Sequence, residues 1–324
     1  MTILVTGAAG FIGSHACEWL LERGEEIVGI DNLNDYYDPA LKLARLERLE
    51  ARDGFRFEKL DLADNEAFLQ LVSEVRPDRI LHLAAQAGVR YSLENPFAYA
   101  RSNLTGHLSV LEAARLLGDD LKHLVYASSS SVYGERSNVP FREEDAADTP
   151  ASLYAATKRS DEMMSSSYAS LYGIPATGMR FFTVYGPWGR PDMAYWSFAE
   201  ALLEKRSINV FNNGDMERDF TYIDDIIDPL LRVLVDDPKR GRHEVYNIGG
   251  SSPVRLMDMI SALERAFGDT VEKIMLPMQP GDVTTTYADI TKLKADYGYE
   301  PTIRIEEGLQ RFADWFATWR GRNV

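Results

Sequence analysis

The sequence of 324 residues has a single cysteine, Cys17, and an excess of acidic over basic side chains. One cysteine excludes an intramolecular disulfide framework and a metal site built from several cysteines. The five histidines are scattered without metal-ligand spacing, so we expect no metal. Fifty Asp and Glu against 35 Lys and Arg give a formal net charge of −15, which argues against binding to nucleic acid or to anionic membranes.

Long hydrophobic runs are also missing. No apolar run approaches the roughly 18 residues needed to span a bilayer, and no basic segment precedes an apolar one as in a signal peptide. We therefore expect a soluble, cytoplasmic protein. The hydrophobic content of 45% allows a sizeable core, and about 150 residues per domain predicts roughly two domains.

Short apolar runs alternate with helical patterns from the first residues onward. Candidate buried strands lie at residues 3–6, 27–31, 55–61, 80–84, 124–127, 174–182 and 245–248. Strands separated by helices imply βαβ units, which predict an α/β fold with a doubly wound, mostly parallel sheet. Beyond about residue 180, clustered prolines and glycines indicate a second, smaller domain. We assign residues 1–178 to the first domain, with segments near 222–248 returning to it, and 179–324 to the second.

Three glycines, Gly7, Gly10 and Gly13, follow the first strand and open the first helix. On a first βα turn such glycines permit a tight turn, close approach of a pyrophosphate, and close packing of the helix. The helix N-terminus adds free N–H groups for phosphate oxygens. Asp31 ends the second strand, where a carboxylate binds the adenosine ribose and repels a 2′-phosphate, so we predict NAD over NADP. Asp61, after the third strand, is a candidate adenine contact or an ordinary turn residue.

Tyr154 and Lys158 are one helical turn apart on one face of a predicted helix. A nearby ammonium stabilises a phenolate, which allows a tyrosine to take a proton from a sugar hydroxyl. This spacing alone arises readily by chance. It gains weight from four consecutive serines at 128–131, directly after the fifth strand, where a hydroxyl can hold the substrate oxygen and relay its proton.

These motifs, in this order, resemble the extended short-chain dehydrogenases/reductases of the nucleotide-sugar epimerase/dehydratase group. The resemblance covers essentially the whole chain, including residues 5–7, 82–85, 132–134, 180–187 and 218–225. It implies a Rossmann-type domain with tightly held NAD, and a homodimer joined through a four-helix bundle of the helices near 97–117 and 152–172.

The same resemblance implies roles for individual residues. Ser129 is the implied catalytic hydroxyl, Tyr154 the base, and Lys158 the residue that tunes Tyr154 and binds the nicotinamide ribose. The cofactor site further includes Phe11, Ile12, Asn32, Leu62, Leu83, Ala84, Ala85 and Asn103. Substrate contacts include Arg218 for the diphosphate, Asp282 for the uridine ribose, and Arg90 for the diphosphate or the partner subunit.

The residues after the catalytic serine distinguish the reactions of this group. Dehydratases carry an Asp-Glu pair where this chain has Ser130 and Ser131, and decarboxylases carry a Glu at the position of Ser131. Neither serine can act as a general acid or base. C4 epimerisation remains. Segments 32–37, 88–92 and 189–194 resemble the subgroup that converts UDP-glucuronate to UDP-galacturonate, which serves polysaccharide biosynthesis. The alternatives are a 4-epimerase of the UDP-glucose or UDP-N-acetylglucosamine type, a UDP-glucuronate decarboxylase, or a non-catalytic NAD sensor.

Arg190 is the candidate partner of the uronate carboxylate. A guanidinium holds a carboxylate bidentately, although this arginine can instead form a surface salt bridge. The 4-keto intermediate of a uronate is a β-keto acid, which loses CO₂ when the breaking bond overlaps the carbonyl π system. We predict that Thr183, Ser130 and Arg190 hold the carboxylate near the carbonyl plane and so suppress this loss.

Overall fold

Strands and helices alternate through the first part of the chain. The structure is a computed structural model that describes residues 1–136, 138–279 and 283–321. The first elements are β1 (Thr2–Thr6), α1 (Phe11–Glu22), β2 (Glu26–Asp31), α2 (Pro39–Glu50), β3 (Phe55–Lys59), α3 (Asn65–Val75), β4 (Arg79–His82), α4 (Tyr91–Glu94), α5 (Pro96–Tyr99), α6 (Gly106–Leu117), β5 (His123–Ser129), α7 (Leu153–Tyr172) and β6 (Ala176–Phe181). A π-helical turn at Ala100–Thr105 joins α5 to α6, and a 3₁₀ turn at Ser130–Tyr133 follows β5.

Shorter strands and longer loops characterise the rest of the chain. The remaining elements are β7 (Thr183–Tyr185), α8 (Ala194–Glu204), β8 (Ile208–Val210), β9 (Glu217–Tyr222), α9 (Ile223–Val235), β10 (His243–Ile248), β11 (Pro253–Arg255), α10 (Leu256–Phe267), β12 (Lys273–Met275), α11 (Thr291–Tyr297) and α12 (Ile305–Trp319).

Seven strands form one large sheet in the order β10-β6-β5-β4-β1-β2-β3. Strand β1 pairs in parallel with both β2 and β4, so the direction of strand succession reverses beside it. This order is that of a doubly wound Rossmann-type sheet, and it confirms the predicted fold class. Two strands end earlier than expected, β3 at Lys59 and β4 at His82. Their early ends place the predicted contacts that follow them in loops at the carboxyl edge of the sheet.

Buried aliphatic side chains explain why these segments form central strands. Leu4, Ile80 and Leu124 of the sheet are fully buried and share one core cluster with Phe68 of α3 and Val110 of α6. Parallel sheets are covered by helices on both faces, and their strands are therefore apolar on both sides. Polar groups are left to the strand ends, where the candidate site residues lie.

The chain divides into two compact units. The first unit comprises residues 1–134, 146–180 and 227–246, and the second comprises the described residues of 135–145, 181–226 and 247–324. Within the second unit, β11, β9 and β7 form a three-stranded sheet, and β12 pairs with β8. Its core includes Leu309, Phe312, Ala313 and Phe316, which are fully buried along one face of α12.

Candidate active site

The three glycines after β1 occupy positions where no side chain fits. Gly7 has a φ of +73°, and a Cβ on it would lie 2.7 Å from the backbone nitrogen of Ala84. A Cβ on Gly13 would lie 2.0 Å from the carbonyl oxygen of Gly7, and one on Gly10 would lie 2.9 Å from the same oxygen. The Gly7 N–H donates to the carbonyl of Ile30 at 2.7 Å, which fixes the loop against the end of β2. Backbone contact therefore requires glycine at all three positions.

Helix α1 begins directly after this loop without a side-chain cap. Gly10 is its N-cap residue, and the first turn carries no acidic residue. The backbone N–H groups of Phe11, Ile12 and Gly13 start the helix, where the aligned peptide dipoles create positive potential. An uncapped N-terminus behind a glycine loop fits the phosphates of a dinucleotide.

Asp31 is held at the end of β2 by the loop that follows it. Its Oδ1 accepts a hydrogen bond from the Leu33 N–H at 2.8 Å. Burial raises the pKa of Asp31, against the opposing charge of Lys42 and the Leu33 N–H bond. The next residue, Asn32, accepts from the N–H of Asn34 at 3.1 Å. Successive side-chain bonds to the backbone thus fix the carboxylate at the strand end.

Asp61 follows β3 and takes part in an ion pair. Its Oδ2 lies 3.2 Å from Nε of Arg101, and its Oδ1 accepts from the Ala63 N–H at 2.9 Å. The neighbouring Leu62 is buried. The Ala63 N–H bond is the one that a turn aspartate commonly forms, so the adenine contact of Asp61 stays a prediction.

Asn103 ties the segment after β4 to helix α7. It is buried in the π-helical turn, where its Oδ1 accepts from the Gln86 N–H at 2.8 Å. Its Nδ2 donates to the Gln86 carbonyl at 3.1 Å and to Thr157 Oγ1 at 3.0 Å. These bonds engage both ends of the amide and hold the backbone of the loop.

The loop after β4 is also bonded to β1. The Leu83 N–H donates to the Thr6 carbonyl at 3.1 Å, and the Ala84 N–H donates to Thr6 Oγ1 at 3.2 Å. Thr6 Oγ1 also lies 2.7 Å from Nδ1 of His82. Ala85 directly follows Ala84 in this loop, so the bonds of Leu83 and Ala84 to Thr6 fix the start of its backbone.

Ser129 ends β5 and begins the 3₁₀ turn that includes Ser130. Its Oγ accepts from the Ser131 N–H and donates to Ser131 Oγ, both at 3.2 Å. The preceding Ser128 points elsewhere, because its Oγ donates to Glu162 Oε1 at 2.6 Å. The serines thus have separate structural surroundings, with Ser129 bonded to Ser131 and Ser128 bonded to Glu162.

Tyr154 lies in the first turn of α7, and Lys158 lies one turn further on. Ser152 caps the helix by accepting from the Ala155 N–H at 3.1 Å. Lys158 is buried, and its Nζ donates to the Ala127 carbonyl of β5 at 2.9 Å. This bond connects the lysine to the strand that ends in Ser129. The three predicted catalytic residues therefore lie on two adjoining elements of the first unit.

A row of tyrosine rings leads to Tyr154. The ring of Tyr36 lies 4.7 Å from that of Tyr91, which lies 6.1 Å from that of Tyr99. Tyr99 packs edge-to-face on Tyr154 at 6.0 Å. Tyr36 and Tyr91 belong to the segments at 32–37 and 88–92. Both segments therefore contribute a ring to the row of tyrosines that ends at Tyr154.

Helix α7 also carries two buried acids that the sequence reasoning missed. Glu162 forms hydrogen bonds with Arg180 of β6, and Asp161 pairs with Lys158 at 3.2 Å. Helical spacing was an available signal, because positions three and four beyond Lys158 return to its face of the helix.

Arg190 forms a bidentate ion pair within the second unit. Its Nε and Nη2 donate to the two oxygens of Asp192 at 3.0 and 2.6 Å. Its Nε/Nη2 edge is therefore occupied by Asp192, as in the salt bridge that is the alternative for this arginine, and a uronate carboxylate would have to replace Asp192 on that edge or bind another one. Thr183, in the same unit, is the half-buried first residue of β7 and is paired with Phe220 of β9.

Two tryptophans of α12 anchor the loop that carries Arg190. Trp188 has a φ of +59°, and its ring lies 5.1 Å from that of Trp315 and 5.4 Å from that of Trp319. Sequence reasoning missed this contact. The only available signals were the tryptophan in the Pro-Trp-Gly-Arg loop and the spacing of four between the two helical tryptophans.

The remaining predicted substrate contacts have different surroundings. Arg218 Nη1 donates to the carbonyls of Glu217 and Thr284, at 2.9 and 3.0 Å. Arg90 is exposed at the start of α4. Asp282 lies outside the described residues. The structure thus orients Arg218 through the backbone and presents Arg90 at the surface of the first unit.

Two classes of site are absent from the part of the chain that the structure describes. Within residues 1–136, 138–279 and 283–321, no helix has the length and apolar character needed to cross a membrane. Across the same ranges, no three or more His, Cys, Asp or Glu side chains are grouped to hold a metal ion.

The chain is similar to known proteins over nearly all of its length. The family model of GDP-mannose 4,6 dehydratase matches residues 4–312. A probable UDP-glucuronate 4-epimerase of Rhizobium meliloti is 45% identical over 332 residues, covering 98% of this chain and 97% of that protein. A solved UDP-glucuronic acid 4-epimerase of Bacillus cereus, in complex with UDP-glucuronic acid and NAD, superposes with a TM-score of 0.91 at 37% identity, covering 98% and 100% of the two chains. The UDP-glucose 4-epimerase of Thermotoga maritima, solved with UDP-glucose, gives a TM-score of 0.89 at 32% identity, covering 99% and 100%.

Proposed function

Because the chain belongs to the GDP-mannose 4,6 dehydratase family, we propose that it is an NAD-dependent 4-epimerase of UDP-glucuronate. The enzyme interconverts UDP-glucuronate and UDP-galacturonate through a 4-keto intermediate. The observation that carries this assignment is the match to the Bacillus cereus enzyme, which binds UDP-glucuronic acid and NAD. We assign the substrate carboxylate to Arg190, which would exchange its bidentate ion pair with Asp192 for one with the substrate. Cytoplasmic localisation and a place in polysaccharide biosynthesis stay predictions.

The residues at the carboxyl edge of the large sheet fit NAD. The glycine loop and the uncapped start of α1 suit its diphosphate, and Asp31 suits the adenosine ribose. The chemistry that NAD supplies, when bound, is acceptance of a hydride from C4 and its return to the opposite face. We assign the cofactor-binding role to the first unit and the nucleotide-sugar-binding role to the second.

Three side chains of the first unit carry the proton chemistry in this proposal. Tyr154 takes the proton of the 4-hydroxyl and later returns it, Ser129 holds the same oxygen, and Lys158 stabilises the phenolate by its charge. The order of these residues on β5 and α7 supports the assignment, because Lys158 is bonded to the strand that ends in Ser129.

Control of the carboxylate is the specific demand of this substrate. The β-keto acid intermediate keeps its CO₂ only while the carboxylate stays near the plane of the C4 carbonyl. The loop of Arg190 is anchored through Trp188, which packs on Trp315, and Asp192 occupies one edge of the guanidinium until the carboxylate replaces it. We propose that Arg190, Thr183 and Ser130 hold the carboxylate in this orientation.

The competing activities differ in what they need from these positions. A decarboxylase of this group would have an acid where this chain has Ser131, and a UDP-glucose 4-epimerase would need no guanidinium for a sugar carboxylate. The similarity to the Thermotoga maritima enzyme keeps the second alternative as an outcome of the test.

Exposed apolar side chains support a homodimer. Phe97 is 84% exposed, and five further large apolar residues of α4, α6 and α7 are exposed: Leu93, Leu108, Leu116, Met163 and Leu171. Such a concentration on adjacent helices is unusual for a face that stays in water. We propose that a second copy of the chain covers it, through a four-helix bundle of the helices near 97–117 and 152–172.

Product analysis tests the function. Purified protein is incubated separately with UDP-glucuronate and with UDP-glucose, and the products are separated by chromatography and their masses are measured by mass spectrometry. The expected product is UDP-galacturonate at unchanged mass. A product lighter by CO₂ would identify a decarboxylase, and turnover of UDP-glucose alone would identify the neutral-sugar alternative. A protein that retains NAD and turns over none of these sugars would refute the catalytic assignment.

A further inference from the structure

Lys158 and Asp161 form an ion pair in the interior of the first unit. Lys158 Nζ lies 3.2 Å from Asp161 Oδ2, and the side chains are 3% and 0% exposed. The second carboxylate oxygen, Oδ1, is buried and has no hydrogen-bond partner among the residues that the structure describes. A fully buried carboxylate with one oxygen left unbonded is costly, and this cost points to a role beyond packing.

We propose that Asp161 is a positioning residue for Lys158: its carboxylate holds the ammonium in place and offsets its charge, and so limits how strongly Lys158 stabilises the Tyr154 phenolate. This proposal rests on the proposed function of Tyr154 and Lys158. It adds an acid to the pair that the sequence motif alone presents. Asp161 acts through Lys158 in this account and touches neither substrate nor cofactor.

The position of the Lys158 ammonium is fixed by two hydrogen bonds. The Lys158 ammonium donates to two fixed acceptors, the Ala127 carbonyl at 2.9 Å and Asp161 Oδ2 at 3.2 Å. The first acceptor belongs to β5 and the second to the lysine's own helix. Two bonds from different elements fix the long lysine side chain, which would otherwise sample several rotamers. Its charge is thereby kept on the helix face that it shares with Tyr154.

The charges of Lys158 and Asp161 lie among other ionisable side chains. Other titratable or charged groups act on this pair or its neighbours from the surrounding elements, namely His82 on β4, His107 on α6, Tyr126 on β5, Arg180 on β6, His243 on β10, and Arg159 and Glu162 on α7. Burial lowers the pKa of His82 to about 3 and holds the pKa of His107 well below its ordinary value. Burial also raises the pKa of Tyr126 well above its ordinary value. These three groups are therefore neutral in the working pH range.

Glu162 is neutralised by its own partners, since Arg180 and Arg159 both donate to it at 2.8 Å. Asp161 is different, because burial raises its pKa to about 7, against the opposing charge of Lys158. A base that must both take and return a proton works best when its own affinity for the proton is moderate. An offset to the lysine charge supplies such moderation.

The Asp161→Asn variant tests the charge offset through the pH dependence of turnover. Removing the offset strengthens the effect of Lys158 on the phenolate, so the acidic limb of the kcat/KM profile for UDP-glucuronate should move to lower pH by about 0.5–1 unit. The control is Glu66→Gln, which removes one negative charge from an exposed position of α3 and should leave the limb unmoved. A folded Asp161→Asn protein with normal NAD content and an unshifted limb would overturn the proposal.

A double-mutant cycle of unfolding tests the pairing without any substrate. Lys158→Met leaves Asp161 buried and unpaired, and Lys158→Met/Asp161→Asn removes both charges. We expect the double variant to unfold at a higher urea concentration than Lys158→Met at pH 8, with a smaller difference at pH 5, where the lone carboxyl is protonated. Additive losses would overturn the pairing. If Asp161→Asn alone fails to fold, the double variant must fold, and its failure would also overturn the proposal. Because this cycle needs no turnover, its result separates a failed pairing from a failed function.

Discussion

Glu162 and Arg180 form a buried, bidentate ion pair between α7 and β6. Arg180 Nε and Nη2 donate to the two carboxylate oxygens, both at 2.8 Å, and the side chains are 1% and 3% exposed. Ser128 of β5 donates to the same carboxylate at 2.6 Å. The pair therefore fixes the helix of Tyr154 and Lys158 against two strands of the large sheet.

Glu162→Gln should destabilise the protein by about 3–5 kcal/mol, because it leaves the Arg180 guanidinium buried and uncompensated. Burial alone would raise the pKa of Glu162, but the hydrogen bonds from Arg180 bring it below its ordinary value. A carboxyl whose pKa is depressed by folding contributes stability above its unfolded pKa of about 4.3, and this contribution is lost as the pH falls through the folded value. Urea midpoints of wild type and variant should therefore converge in acid. A midpoint difference that stays constant down to pH 3 would contradict this reasoning.

Tyr154→Phe should lower kcat for C4 epimerisation by at least about 10²–10⁴-fold, the usual contribution of a positioned acid–base group. The fold and the NAD content should be retained, since the ring still packs on Tyr99. Tyr172→Phe, which removes a hydroxyl at the far end of the same helix, serves as the matched control. Initial rates, circular dichroism and released NAD are measured for both variants. Full activity in Tyr154→Phe would remove Tyr154 from the mechanism.

Gly13→Ala should abolish NAD binding. The added Cβ would lie 2.0 Å from the Gly7 carbonyl oxygen and 3.2 Å from the Ala8 Cα. Both are backbone atoms, which cannot rotate away as a side chain can. The loop must then shift, with an overpacking cost of about 1–3 kcal/mol. Gly106→Ala is the control, because its Cβ would meet the Leu62 Cβ at 3.4 Å and the Arg101 carbonyl oxygen at 3.8 Å, both ordinary contact distances, within a helix that favours alanine. NAD content and fluorescence titration distinguish the two, and equal affinity in both variants would contradict the assignment of this loop.

Local patterns in the sequence were sufficient to predict the large sheet and the glycine loop. The apolar runs at 3–6 and 27–31 correspond to β1 and β2, because a strand covered on both faces must be apolar throughout. The turn after β1 needs glycine because its backbone lies against a few neighbouring residues and against the loop that follows β4. Such constraints leave a fixed spacing in the sequence.

Contacts between distant segments have no such fixed spacing in the sequence. Trp188 packs on Trp315 and Trp319, although more than 120 residues separate them along the chain. Arg45 is another example, since it is fully buried and donates to the carbonyl of Ala9 in the glycine loop at 3.0 Å. A buried arginine runs against composition-based expectation and is fixed only by the tertiary structure. The sequence alone therefore does not predict how the candidate site is anchored.

Phe97→Asp should convert the proposed homodimer into monomers. Burying one phenylalanine side chain contributes about 1.5–3 kcal/mol per subunit, and an aspartate in its place adds the cost of burying a charge. Met275→Asp on β12, where the replaced side chain is 47% exposed, is the control and should not change the mass. The masses are measured by light scattering coupled to size-exclusion chromatography. A wild-type monomer at micromolar concentration would refute the dimer itself, and a dimeric Phe97→Asp would exclude this face.

Arg190→Ala should weaken the binding of UDP-glucuronate and release CO₂ during turnover. Hydrogen bonds to a charged group contribute about 1.5–3 kcal/mol, so KM should rise by about 10- to 150-fold, while KM for UDP-glucose should change little. The freed carboxylate can then rotate out of the carbonyl plane, and a UDP-pentose should accumulate. Arg206→Ala is the matched control, because Arg206 also pairs with an acid two residues away, Glu204 at 2.6 Å, in the same unit. Liquid chromatography with mass detection follows both products, and unchanged turnover with negligible CO₂ release would remove Arg190 from the carboxylate site.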